Sequence, residues 1–121
     1  MSIDLIRTLD DRNAPVTPDP ADYDGVSPGW SETEFRAFEL AGGSFGGYWR
    51  GASGEVYFKA WPYDEICVVT CGRVALEDHQ GRRREFGAGA AFYIPAGFEG
   101  RWITLEESEK HFIAIQPVVS L

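Results

Sequence analysis

The chain reads as an all-β protein, a sandwich or a barrel, and three observations carry that prediction. From Phe35 onward, β-prone runs return about every 8 to 12 residues. Nearly every connection between them holds Gly, Pro or Asp, the residues that turns require. No uninterrupted amphipathic stretch of helical length separates the runs. At 121 residues the chain has the size of one domain, with enough length to bury most of its apolar surface in a single core.

Taken in order, the predicted strands are FRAFEL, SFGGYWR, EVYFKAW, EICVVT, RVALED, RRREF, AAFYIP, GRWITL and HFIAIQPVV. The segment DHQG between RVALED and RRREF reads as a hairpin turn. Residues 1–30 differ in character: NAPVTPDPADYDGVSPGW offers turns and extended backbone without helical periodicity. They are predicted to form an extended N-terminal arm, and residues 31–121 the barrel. Ile3, Leu5, Ile6, Leu9, Tyr23 and Trp30 are the arm's apolar handles, able to lie along the body of the domain or on a neighbouring subunit. For the first dozen residues a disordered tail is an equal alternative.

Charge and composition exclude several functions. A net charge of -8 opposes binding to phosphate backbones, which needs a basic face to displace counterions, so no nucleic-acid partner is expected. The one basic cluster, Arg82, Arg83 and Arg84, follows a turn, and adjacent strand residues point to alternate sides, so it reads as a solvated strand edge. No apolar run approaches the roughly 20 residues of a membrane helix, and the N-terminus shows no export signal, so the expected compartment is the cytoplasm, with no membrane partner. Cys67 and Cys71 would lie about 13 Å apart along a strand, beyond the roughly 4.4 to 6.8 Å that a disulfide spans. They are expected to be separate buried thiols.

Two glycine-bearing motifs flank the predicted hairpin: E-x6-G from Glu65 to Gly72, and G-x5-P-x-G from Gly89 through Pro95 to Gly97. Gly72 and Gly97 suit positions of positive φ or close approach, and Pro95 suits a strand end. With Trp102, these residues make the chain resemble the small single-domain cupins, in particular the subgroup named after (S)-ureidoglycine aminohydrolase. The resemblance covers residues 30 to 117 and implies a cupin-type double-stranded β-helix. Ala90 departs from it, standing where many relatives carry Asp.

The resemblance also implies a metal site, with an H-x-H unit before the glutamate and a further histidine after the second motif. Here those positions hold Lys59 and Trp61, or Phe58 and Ala60 with the longer spacing, and Gly100. None offers an imidazole, and Glu65 alone falls short of a transition-metal ligand set, so no metal and no cofactor is expected. If Lys59 and Trp61 share a strand and Glu65 opens its antiparallel neighbour, all three face the barrel interior, and a Lys59–Glu65 ion pair fills the space of the metal. The candidate ligand-binding residues are Lys59, Trp61, Glu65, Cys67, Trp102 and Tyr48, with Trp49, Tyr63, Phe92 and Tyr93 on or beside the same strands. His79 is expected in a solvated turn. His111 alternates with Lys110, Phe112 and Ala114, and the sequence leaves open which set faces inward.

Three functions follow from this reading. The first is a metal-independent cupin that binds a small organic metabolite in the barrel. The second is an enzyme of the aminohydrolase or isomerase kind, with Glu65 and Lys59 as acid and base. The third is an assembly protein whose barrel is only a core. A homodimer is expected, because an apolar arm and open sheet edges gain from a two-fold partner.

Overall fold

Alternation along the last strand decides how the barrel is filled. In β11 (Ser108–Ile115), Ser108, Lys110, Phe112 and Ala114 are buried, whereas Glu109, His111 and Ile113 are half-buried on the other face. The period of two along a strand sends these sets to opposite sides, so Lys110 points into the core and His111 away from it. The computed structural model describes residues 1–117.

The other strands are β1 (Pro15–Val16), β2 (Gly25–Val26), β3 (Glu32–Glu39), β4 (Phe45–Gly51), β5 (Gly54–Phe58), β6 (Asp64–Cys71), β7 (Arg73–Asp78), β8 (Arg83–Gly87), β9 (Ala91–Ile94) and β10 (Gly100–Thr104). They form two antiparallel sheets, a six-stranded one in the order β1-β3-β4-β11-β6-β9 and a five-stranded one in the order β2-β5-β10-β7-β8. The all-β prediction holds. Between the sheets lies one core built on Phe45, Trp49, Val56, Phe58, Trp61, Cys67, Val69, Val74, Ile94, Trp102, Phe112 and Ala114.

Several boundaries differ from the sequence reading. The final strand starts at Ser108, three residues before the predicted run, and ends at Ile115; Val118 and Val119 of that run lie outside the described residues. β5 stops at Phe58, so Lys59 and Trp61 belong to the following loop. More consequentially, β5 pairs with β2 and β10, whereas β6 pairs with β11 and β9 in the other sheet. The predicted antiparallel pairing of these two strands is therefore wrong. In a double-sheet fold, consecutive strands joined by a short loop can cross between layers instead of forming a hairpin.

The first 30 residues carry β1 and β2, one paired to each sheet, and Tyr23 and Trp30 pack against the core. Ile3, Leu5 and Ile6 are exposed, and Leu9 is half-buried. Cys67 and Cys71 are both free thiols as expected, but Cys71 is exposed, because it lies at the end of β6 where the strand leaves the core.

Gly72 makes the tight turn from β6 to β7, at φ 84°, and an added Cβ would come within 2.4 Å of the Glu107 carbonyl oxygen. Backbone crowding and the left-handed conformation both reject a side chain there. Gly72→Ala is expected to lower unfolding stability by about 1–3 kcal/mol or more, measured by urea denaturation, whereas Gly81→Ala, with open space around its turn position, costs less.

Candidate functional site

Glu65, Cys67 and Val69 alternate inward along β6, and Lys110 reaches them from the neighbouring β11. The Lys110 ammonium lies 2.7 Å from Glu65 Oε2, with side-chain exposures of 8% and 6%. The loop after β5 delivers Trp61, whose indole N–H donates to Glu65 Oε1 at 3.0 Å. The Cys67 thiol donates to Oε2 at 3.2 Å. Around the ammonium stand Trp102, with its ring centroid at 3.8 Å, and Trp49 at 4.9 Å. A cation between indole faces gains from both ring quadrupoles, more so out of water.

Burial alone would raise the Glu65 carboxyl, but the Lys110 charge and its three hydrogen bonds outweigh it and hold the group below its ordinary value. Burial likewise acts to lower Lys110, and the Glu65 carboxylate beside it reverses that and raises it. Both groups are thus ionised around neutrality. The Cys67 thiol is pushed well up, first by burial and then by the Glu65 charge, which leaves it a protonated donor and a poor nucleophile.

A second carboxylate opens on the same cavity. Glu32, at the start of β3, accepts from the Trp49 indole on Oε1 at 2.9 Å, and from the Trp30 indole at 2.9 Å and the Tyr23 hydroxyl at 2.5 Å on Oε2. Gly51 faces Glu32 in register and leaves room for the Trp49 ring, which a Cβ there would meet at 2.2 Å. Glu34, two residues on, pairs with Arg36 at 3.1 Å; burial raises its carboxyl, with Arg36 opposing. The Tyr63 phenol is raised by burial and by Glu65, and its hydroxyl has no hydrogen-bond partner among the described residues. The space enclosed is about 40 Å³, bounded by Tyr23, Trp30, Trp61, Tyr63, Trp102 and Phe112 together with the charged groups.

Of the residues singled out in the sequence, Trp61, Glu65 and Trp102 line this cavity and Cys67 lies against it. Trp102 gives its N–H to Thr104 Oγ1 at 3.0 Å. Lys59 does not join them: its side chain is exposed, and its backbone N–H donates to Asp24. The ion pair expected between Lys59 and Glu65 is made by Lys110 instead, because β5 and β6 lie in different sheets. Tyr48 is on the outer face of β4, bonded to Thr70 at 2.7 Å and set edge-on to His111. His111 faces outward with it, and His79 is exposed in its turn. Phe92 stacks on Phe86, and Tyr93 points outward to Asp64. Lys110, Glu32 and Glu34 were missed. Alternation counted back from Ala114 and Phe112 would have found Lys110.

The metal that the resemblance implies does not fit these residues. Lys110 already neutralises the one acidic ligand, and Trp61 occupies a position where an imidazole would be needed. At Gly100 a Cβ would come within 2.3 Å of the Glu77 carbonyl oxygen and 2.6 Å of the Phe98 ring, so no histidine fits. Among the described residues, no group of three or more His, Cys, Asp and Glu could hold a metal ion.

A jelly-roll barrel with its acidic motif residue inside, and an ammonium where ligands would converge, defines a cupin-domain protein. Within that class the chain belongs to the EutQ-like cupin domain family, whose profile matches residues 39–112. The match does not extend to the narrower aminohydrolase-type subgroup. The fold is similar to the EutQ protein of Clostridium difficile, at TM-score 0.66 and 17% identity over 84% of this chain and 81% of that one. It is also similar to an ethanolamine utilization protein Q assigned in Salmonella typhimurium, at TM-score 0.64 and 17% identity over 86% and 97%. A DUF861-family protein of unknown function from Pseudomonas syringae gives TM-score 0.68 and 22% identity over 83% of this chain but 43% of its own. No curated protein matches the chain. Among the described residues, no helix is long and apolar enough to cross a membrane.

Glu65→Gln or Lys110→Met leaves one charge buried without its partner and is expected to cost about 3–5 kcal/mol, with part recovered in the double variant. Because the folded Glu65 sits below 4.5, its contribution is present above that pH and lost as pH falls through the folded value. Lys110, raised above 10.5, contributes below that pH and loses its contribution as pH rises through its folded value. Denaturation across pH should therefore show a shallower acid slope in Glu65→Gln than in the parent.

Proposed function

We propose that this protein is a metal-independent cupin whose barrel holds a compact organic ammonium ion. The observation that carries the reading is Glu32. Lys110 answers Glu65 and Arg36 answers Glu34, but Glu32 has only neutral donors, so the cavity keeps one negative charge without a counter-ion among the described residues. Its Oε1 accepts a single bond and has a lone pair free. Aromatic walls with a carboxylate form the setting in which an ammonium is held by ring faces and by charge together. The space of about 40 Å³ is small, which suits a compact molecule.

Ethanolamine, the amine in the name of the Salmonella relative, has that size and class and is the first probe. An acid–base enzyme of the aminohydrolase or isomerase kind remains the second reading. It would require Lys110 in place of Lys59 and a ligand able to separate the ion pair, since both partners are now held ionised. The homodimer is retained as part of the proposal, supported by Ile66, Tyr93 and Ile115, which are 38%, 58% and 41% exposed on the outer face of the six-stranded sheet. Ile66→Glu is then expected to shift the mass in light scattering from dimer toward monomer.

Calorimetric titration tests the ligand class. Ethanolamine should bind about tenfold or more tightly than neutral ethylene glycol, and Glu32→Gln should erase that preference. Equal binding of amine and diol, or no saturable binding of either, would refute the ammonium reading.

A further inference from the structure

The two sheets part at the connection between β8 and β9. These consecutive strands are joined by only three residues, with Ala90 N–H donating to Gly87 O at 3.0 Å, yet each is the outermost strand of a different sheet. The result is a wedge-shaped cleft of about 670 Å³, within the roughly 300–1,000 Å³ usual for organic ligands. Phe86 and Phe92 stack on each other at 4.0 Å to form one wall, which Leu76, Ile94 and Phe98 extend. Trp102 and Phe98 stand between this space and the barrel cavity, the first packed on Phe92 and the second on Trp61.

The arginine triplet lies along one rim, and its members differ. All three line the cleft, but Arg82 is tied to Asp78 at 3.0 Å and Arg83 to Glu77 at 3.0 Å. Arg84 pairs in register with Leu76 on the cleft side, its guanidinium 5.2 Å from the Phe86 ring centroid, with no carboxylate partner among the described residues. Asp78, the one acidic residue lining the cleft, is occupied by Arg82 and by the backbone N–H groups of Gln80 and Arg82. In a chain of net charge -8, a guanidinium left free above stacked phenyl rings is a local reversal of sign.

We infer that the β8–β9 cleft is a second binding site, for an aryl carboxylate whose ring lies on the Phe86–Phe92 wall and whose carboxylate takes the Arg84 fork. Guanidinium and carboxylate match as paired parallel hydrogen bonds, and the apolar wall removes the ring from water. This site is independent of the ammonium reading of the barrel, and its preference for charge is the opposite.

The test is a titration of the full chain with phenylacetate, phenethylamine and benzyl alcohol, followed by amide NMR. Phenylacetate should bind best and shift amides of β8, β9 and the loop to Phe98. Arg84→Gln should weaken it about tenfold or more with an unchanged melting temperature, because Arg84 is exposed and makes no ion pair. Arg83→Gln, which removes a guanidinium already held by Glu77, should weaken binding far less. Equal binding of the three probes, equal losses in the two arginine variants, shifts centred on Trp61 and Glu65, or no saturation would each overturn the inference.

Discussion

The barrel interior depends on the ion pair between Lys110 and Glu65. Two charges removed from water to this degree cost several kcal/mol each, and their attraction offsets that only when geometry and further hydrogen bonds are good. Here Trp61 and Cys67 satisfy the carboxylate, and the indoles of Trp102 and Trp49 receive the ammonium. The pair therefore dictates its surroundings. Trp61 must return from its loop to face Glu65, and its backbone does so by exchanging hydrogen bonds with the Gly97–Phe98 segment, N–H to Phe98 O and O to Gly97 N–H, both at 2.8 Å. The second glycine motif is thus coupled to the first through the tryptophan in the ligand position.

That coupling explains why the fold was legible and the site only half so. Gly72 and Gly97 both adopt positive φ, a demand visible in the spacing of glycine and proline alone. Residues such as Trp61 and Trp102 announce burial by type. Lys110, Glu32 and Glu34 do the opposite: charged residues near the ends of strands look like turn or surface. Their inward direction is a consequence of alternation, fixed by neighbours such as Phe112 and Trp49. Lys59 failed for a different reason. ProTyrAsp has the composition of a hairpin turn, and nothing in local sequence distinguishes a hairpin from a loop that crosses between sheets.

Charge is also distributed in a way that net composition hides. The barrel cavity gathers Glu32, Glu34 and Glu65 against Lys110 and Arg36, whereas the β8–β9 cleft offers Arg84 without a carboxylate. The aromatic layer of Trp61, Phe98, Phe92 and Trp102 separates them. Long-range repulsion of anions by the whole chain is screened within about 8–10 Å at ordinary salt. Local partners then decide what each concavity accepts.

The ammonium of Lys110 stands where a cupin of the metal-binding kind would gather its ligands, and the two cations differ in what they permit. A divalent ion can keep an open position and acidify a bound water, the property on which hydrolytic metal chemistry rests. A lysine ammonium presents three N–H donors, and here one serves Glu65 while the Cys67 sulfur and the indole faces take up its surroundings. It is covalently part of β11 and cannot be exchanged or withdrawn without leaving Glu65 unpaired. What remains adjustable is the far side of the cavity, which Glu32 and Tyr63 both line. The architecture thus keeps a fixed charge pair as its floor, and Glu32 is the cavity carboxylate that no cation answers among the described residues.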